Sequence, residues 1–155
     1  MKGIYVHTPF CEHICHYCDF VKRVPKNKEM VDSYLVALRK EIFSYQAHFD
    51  TIETIYIGGG TPSMLDESEL IYLFESLKNI HPIEYTIEVN PESYTHKKGE
   101  IFKQYGVNRV SLGVQTFNEK LLNYLNRKHS NAKVYEVVSD LKSLGIPYIS
   151  LDLIF

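Results

Sequence analysis

Short runs rich in β-branched residues alternate along this chain with longer stretches in which apolar residues recur every three or four positions. Residues 3–7 read as a first strand. Over residues 29–49, Val31, Tyr34, Leu35, Leu38, Ile42, Tyr45 and Phe49 fall on one face of a long helix. Residues 51–57 form a second strand that runs into three glycines. Asp66, with Glu69 three positions on, predicts a capping box before a helix whose apolar face carries Leu70, Ile71, Leu73, Phe74 and Leu77. A third strand is expected over residues 84–89, then a short helix with Ile101, Phe102 and Tyr105, closed by Gly106. A fourth strand over 108–114 precedes helical segments around Leu121, Leu122 and Leu125. Another helix, with Val134, Val137, Val138, Leu141 and Leu144, ends at Gly145, and a fifth strand spans 147–155.

Strands alternating with helices predict βαβ units and a parallel sheet, an α/β fold in one domain covering residues 1–155. With 155 residues, 45% of them hydrophobic, the chain can bury one sizeable core. A complete (β/α) barrel takes about 250 residues, and the apolar run Leu151-Asp152-Leu153-Ile154-Phe155 has no polar tail or further helix behind it. The chain therefore reads as a fragment, an incomplete barrel whose last strand is an aggregation-prone edge. The net charge of −2 gives no sign of a nucleic-acid partner. No stretch is apolar enough to cross a bilayer, no signal peptide opens the chain, and an odd number of clustered cysteines suits a reducing compartment, so a cytoplasmic location is expected.

The one long stretch without periodicity, between Thr8 and Lys28, contains all three cysteines, and loops of that length inside a domain usually carry function. The spacing Cys11-x3-Cys15-x2-Cys18 can wrap three thiolates around a soft-metal centre and leave one coordination position without a cysteine. Three alternatives stand beside an iron–sulfur cube. They are three unrelated core cysteines, a redox pair of Cys15 and Cys18 that leaves Cys11 without a role, and a structural zinc completed by His7, His13 or His16. Zinc sites usually recruit their ligands in two separated pairs, and here there is no second pair. The cube uses all three thiols and is the preferred reading.

Polar residues gather where strands are expected to end, which is where ligands bind in parallel α/β sheets. The second strand ends at Gly58-Gly59-Gly60-Thr61-Pro62, the third at Glu88-Val89-Asn90-Pro91, the fourth at Gln115-Thr116, and the fifth carries Asp152 inside an apolar run. Taken singly, each has a plain structural reading: a tight turn for the glycines, a solvated carboxylate for Glu88, a hydrogen-bonded amide for Gln115, a surface charge for Arg127. Asp152 needs a partner, because a charge among leucines and isoleucines is costly to bury alone. The glycines match no nucleotide-binding motif.

The cysteine loop after the first strand, with Tyr17 just before the last cysteine, resembles the radical S-adenosylmethionine superfamily. Four segments resemble its oxygen-independent coproporphyrinogen oxidase-like group: residues 5–11, 57–63, 87–92 and 111–117. The resemblance extends over essentially the whole chain and implies a partial (β/α) barrel. It also implies that Cys11, Cys15 and Cys18 hold three irons of a [4Fe–4S] cluster, with the methionyl group of S-adenosylmethionine on the fourth. An electron from that cluster would cleave the cofactor to a 5′-deoxyadenosyl radical. By the same motifs Gly59, Gly60 and Thr61 would line the methionyl part, and Glu88, Gln115 and Asp152 would bond the polar parts, including the ribose. Arg127 would neutralise the carboxylate, and Tyr5 and Tyr17 would flank the cluster and the adenine. The decarboxylating members of the group carry a further cysteine two positions after the third, where this chain has Phe20. That departure points to the haem-chaperone branch, which binds haem and passes it to acceptor proteins, so haem, a haem acceptor and an electron donor are the partners implied. Thr8 stands where the group usually has an aliphatic residue. No histidine is assigned as a haem ligand.

Overall fold

In the computed structural model, which describes residues 2–155, five strands form one parallel sheet in the order β1-β2-β3-β4-β5. The strands are β1 (Gly3–Thr8), β2 (Thr54–Gly59), β3 (Glu84–Val89), β4 (Arg109–Gln115) and β5 (Tyr148–Leu153). The helices are α1 (Lys28–Ser44), α2 (Glu67–Leu77), α3 (His96–Gln104), α4 (Glu119–Tyr124) and α5 (Asn131–Ser143). Right-handed crossovers between strands laid down in simple sequence order place every helix on the same side of the sheet. The result is an arc of α/β barrel type with one face covered.

The strands encode this one-sidedness residue by residue. Along β4, Val110, Leu112 and Val114 are buried in the core beneath the helices, whereas Arg109, Ser111, Gly113 and Gln115 point the other way. The same alternation gives Ile55 and Ile57 against Tyr56 on β2, and Tyr85, Ile87 and Val89 against Thr86 and Glu88 on β3. A parallel sheet covered on both faces would read as continuous apolar runs. Here the uncovered face is polar.

Each helix starts at a side-chain cap. Asn27, Asp66, Thr95, Asn118 and Ser130 each accept from a backbone N–H in the first turn, satisfying groups that have no intrahelical partner. Asp66 and Glu69 form the complete reciprocal capping box. Gly106 and Gly145 take positive φ values of 80° and 74° where α3 and α5 give way to strands, as helix-terminating glycines do. The first helix is shorter than its apolar spacing predicts. It stops at Ser44, and Gln46–Thr51 tighten into a 3-10 turn that still buries Phe49. The second strand accordingly begins at Thr54.

Candidate functional site

At the carboxyl ends of the strands lies a cavity of about 460 Å³. Cys11, Cys15, Cys18, Tyr17, Gly59, Gly60, Thr61, Glu88, Gln115, Arg127 and Asp152 all line it. The sequence-predicted residue that does not is Tyr5, whose ring stacks on Tyr56 at 6.0 Å and whose hydroxyl meets His7 Nδ1 at 3.0 Å.

The cysteine loop leaves β1 and is zipped onto itself at its base. The Arg23 N–H donates to Pro9 O at 2.8 Å, and the Cys11 N–H donates to Arg23 O at 3.0 Å. Cys18 N–H closes a turn on Cys15 O at 3.3 Å, and the Lys22 ammonium donates to Cys18 O. All three thiols are free, Cys11 buried and the other two partly exposed. Burial pushes the Cys11 thiol up, as do the neighbouring sulfurs of Cys18 and Cys15, while the Thr61 hydroxyl, which donates to Cys11 Sγ at 3.5 Å, pulls the other way. Burial also raises the Tyr17 phenol strongly, so it stays protonated.

Two of the three histidines in or beside the loop, His7 and His16, are hydrogen-bonded to backbone carbonyls, while His13 lines the cavity. His7 Nε2 meets Val21 O at 2.8 Å, His16 Nδ1 meets Tyr124 O at 2.7 Å, and His13 Nε2 lies 3.8 Å from Glu92. Among the described residues no three His, Cys, Asp or Glu side chains converge to hold a single ion. A tetrahedral zinc with bonds of about 2.3 Å would draw its sulfurs to within about 4 Å of one another. A four-iron cube seats each cysteine on a separate iron. Three free thiols sharing one cavity, with no second pair of cysteines in the chain, fit the cube.

Two of the three glycines, Gly59 and Gly60, have a sharper reason than a tight turn. Gly59 sits at φ 112°, where a Cβ would lie 2.6 Å from the His7 ring. A Cβ on Gly60 would lie 2.6 Å from Phe10 O, because Gly60 N–H and Thr61 N–H donate to Thr8 O and Phe10 O, each at 2.7 Å. The missing side chains thus let the cysteine loop lie directly on the end of β2. Thr8 is buried there with its hydroxyl unpartnered.

Glu88 accepts from Tyr56 OH at 2.8 Å and from Gly59 N–H at 3.1 Å. Burial raises its carboxyl, and the charge of Asp152 adds to this against the lowering effect of those two donors. Asp152, the charge in an apolar run, is on the polar face of β5, where Ser111 Oγ reaches both its oxygens at 2.8 and 3.0 Å. Gln115 ends β4 in the left-handed region at φ 67°, beyond a bulge in the pairing with β5. A non-glycine residue held there stores strain, which clusters at functional sites.

Arg127 is the largest departure from its plain reading as a surface charge. Its side chain is only 2% exposed. Nη2 donates to Gly113 O at 2.6 Å, Asn90 Oδ1 at 2.9 Å and Glu92 Oε2 at 3.4 Å, while Nη1 lies 3.8 Å from Cys15 Sγ. Glu92 also meets His129 Nδ1 at 3.3 Å. Burial raises the Glu92 carboxyl, but His129 and Arg127 outweigh that and hold it below the usual range. Asn90, Glu92, Ser111 and His129 were not singled out in the sequence. The signal for three of them was available: Asn90 and Glu92 flank a proline at a strand end, and Ser111 is on the same side of β4 as Gln115.

The radical SAM superfamily model matches residues 5–155. The chain is 41% identical over its whole length to the heme chaperone HemW of Bacillus subtilis, and 40% identical over 99% of its length to that of Lactococcus lactis. It is 32% identical, again over 99%, to the oxygen-independent coproporphyrinogen III oxidase of Pseudomonas aeruginosa. It spans 42%, 41% and 35% of those three proteins respectively. Among solved structures, the coproporphyrinogen III oxidase HemN of Escherichia coli, itself a radical SAM enzyme, superposes with a TM-score of 0.90 at 29% identity. That superposition covers 99% of this chain and 37% of HemN. With the fold, the cysteine loop and the family model in agreement, the chain belongs to the radical SAM superfamily.

Proposed function

We propose that the chain is the N-terminal part of the radical SAM core of a haem chaperone. The observation that carries this is the sharing of one cavity by three free thiols and the strand-end polar groups, with His7 and His16 hydrogen-bonded to backbone carbonyls. Cys11, Cys15 and Cys18 hold a [4Fe–4S] cluster, and S-adenosylmethionine takes the rest of the cavity. When bound and reduced, the cluster supplies the electron that breaks the cofactor's sulfonium carbon–sulfur bond.

The chain's own residues bind and orient. Arg127, pinned through Nη2, offers Nη1 beside Cys15 for the methionyl carboxylate. Thr61 bonds Cys11 Sγ and joins Gly59 and Gly60 along the methionyl part. Glu88, Gln115 and Asp152 present acceptors and an amide to the amino and ribose groups, and Tyr17 closes the wall beside the cluster. Tyr5 acts from one step away, through Tyr56. Haem is the cargo of the whole protein, delivered to an acceptor protein, and the likeness to the two HemW proteins supports this over decarboxylation. Phe20 supports it as well. It lines the cavity at the position of the decarboxylases' further cysteine and supplies no thiol.

Electron paramagnetic resonance on anaerobically reconstituted, dithionite-reduced protein tests the site. A [4Fe–4S]⁺ signal that shifts on adding S-adenosylmethionine is expected, and Cys15→Ala is expected to abolish it. A signal indifferent to the cofactor would remove the cofactor assignment, and zinc in place of iron would remove the cluster. A whole protein that converts coproporphyrinogen III to its divinyl product would move the assignment to the oxidase.

A further inference from the structure

The cysteine loop is zipped at its base, but its tip rests on a distant part of the chain. Residues 14–16, which include Cys15, lie against the turn between α4 and α5. There the His16 N–H donates to Leu125 O at 3.3 Å, His16 Nδ1 donates to Tyr124 O at 2.7 Å, and Asn126 Nδ2 donates to Ile14 O at 2.8 Å. Asn126 reaches the loop from a left-handed conformation, φ 61°, which asparagine adopts more readily than most residues. The next residue is Arg127. One turn therefore mounts both the loop tip and the guanidinium that faces Cys15.

Neither His16 nor Asn126 lines the cavity. We infer that they are positioning residues for the cluster: they hold Cys15 at its coordinating place before iron arrives. This rests on the cluster reading above. A loop tip without such props samples many conformations, and the metal itself must then bear the cost of ordering Cys15. The contribution belongs to the side chains, since the backbone pair from His16 to Leu125 survives their removal.

The test is the rate at which an iron chelator strips the reconstituted cluster from the wild-type chain and from His16→Ala, His16→Asn and Asn126→Gly. Glycine keeps the left-handed turn without strain and deletes only the amide. Asparagine at position 16 places an amide nitrogen where His16 has Nδ1, and so restores the donor. Loss of one such hydrogen bond shifts the equilibrium by about fivefold. His16→Ala and Asn126→Gly are expected to release iron roughly fivefold faster. His16→Asn is expected to stay within about twofold of the wild type. Wild-type release rates in both His16→Ala and Asn126→Gly would overturn the inference, as would a His16→Asn variant as labile as His16→Ala. A wild-type chain that takes up no cluster overturns the cluster reading, and this inference with it.

Discussion

Arg127 and Glu92 are a buried ion pair, 2% and 11% exposed at the side chain, and their separation of 3.4 Å makes each the other's charge partner. Replacing Glu92 by alanine leaves the guanidinium buried among neutral acceptors. Breaking such a pair costs about 3–5 kcal/mol, and the surviving bonds to Gly113 and Asn90 favour the lower figure. A loss of about 3 kcal/mol in denaturant unfolding is expected, lowering the melting temperature by roughly 6–12 °C. A loss under about 1 kcal/mol would mean the pair behaves as a solvated one. The sequence brought Arg127 forward through its motif, yet its burial was not legible, because the acceptors that hold it come from the ends of β3 and β4, far from it along the chain. Asp152 was legible as a charge in want of a partner. The partner, Ser111, is 41 residues earlier and is found only once the register of β4 and β5 is known.

Local signals located the elements well. The capping box at Asp66, the third strand and the glycines after α3 and α5 could be read directly, since caps and turns depend on neighbours within a few residues. The end of α1 could not. Phe49 keeps helical spacing, but it reaches the core from a 3-10 turn instead. Asp66 also carries a pH dependence. Burial raises its carboxyl, but the Lys28 ammonium, Ser68 and the Glu69 backbone outweigh that and hold it at about 2, against 3.8 ordinarily. The folded state thus binds this proton less readily than the unfolded chain. The stabilisation is whole above pH 3.8 and is lost as pH falls through about 2. Because the side chain is half exposed, solvent screening keeps the charge contribution small. Asp66→Asn retains a capping oxygen without the charge. Its melting temperature is expected to fall less than the wild type's between pH 4 and pH 2, about the Asp66 titration range. Parallel curves for the two proteins would remove Asp66 as the cause.

At the scale of the molecule, the monotonic strand order leaves two open edges, and β5 is the more apolar. Leu151, Leu153, Ile154 and Phe155 are all exposed along it. Unpaired backbone flanked by exposed apolar side chains is a template for pairing with another chain. This 155-residue chain is expected to self-associate with rising concentration in light scattering, and Leu153→Lys to shift it toward monomer. Scattering that is equal for the two would show that the edge is not the contact. The strand alternation that leaves one face polar also separates two kinds of inheritance. Substitutions at Val110, Leu112 or Val114 are answerable to the core, whereas those at Ser111, Gly113 or Gln115 are answerable to whatever occupies the cavity. Neighbouring codons therefore face unrelated selection, and the chemistry of such a protein can drift while the same fold stands behind it.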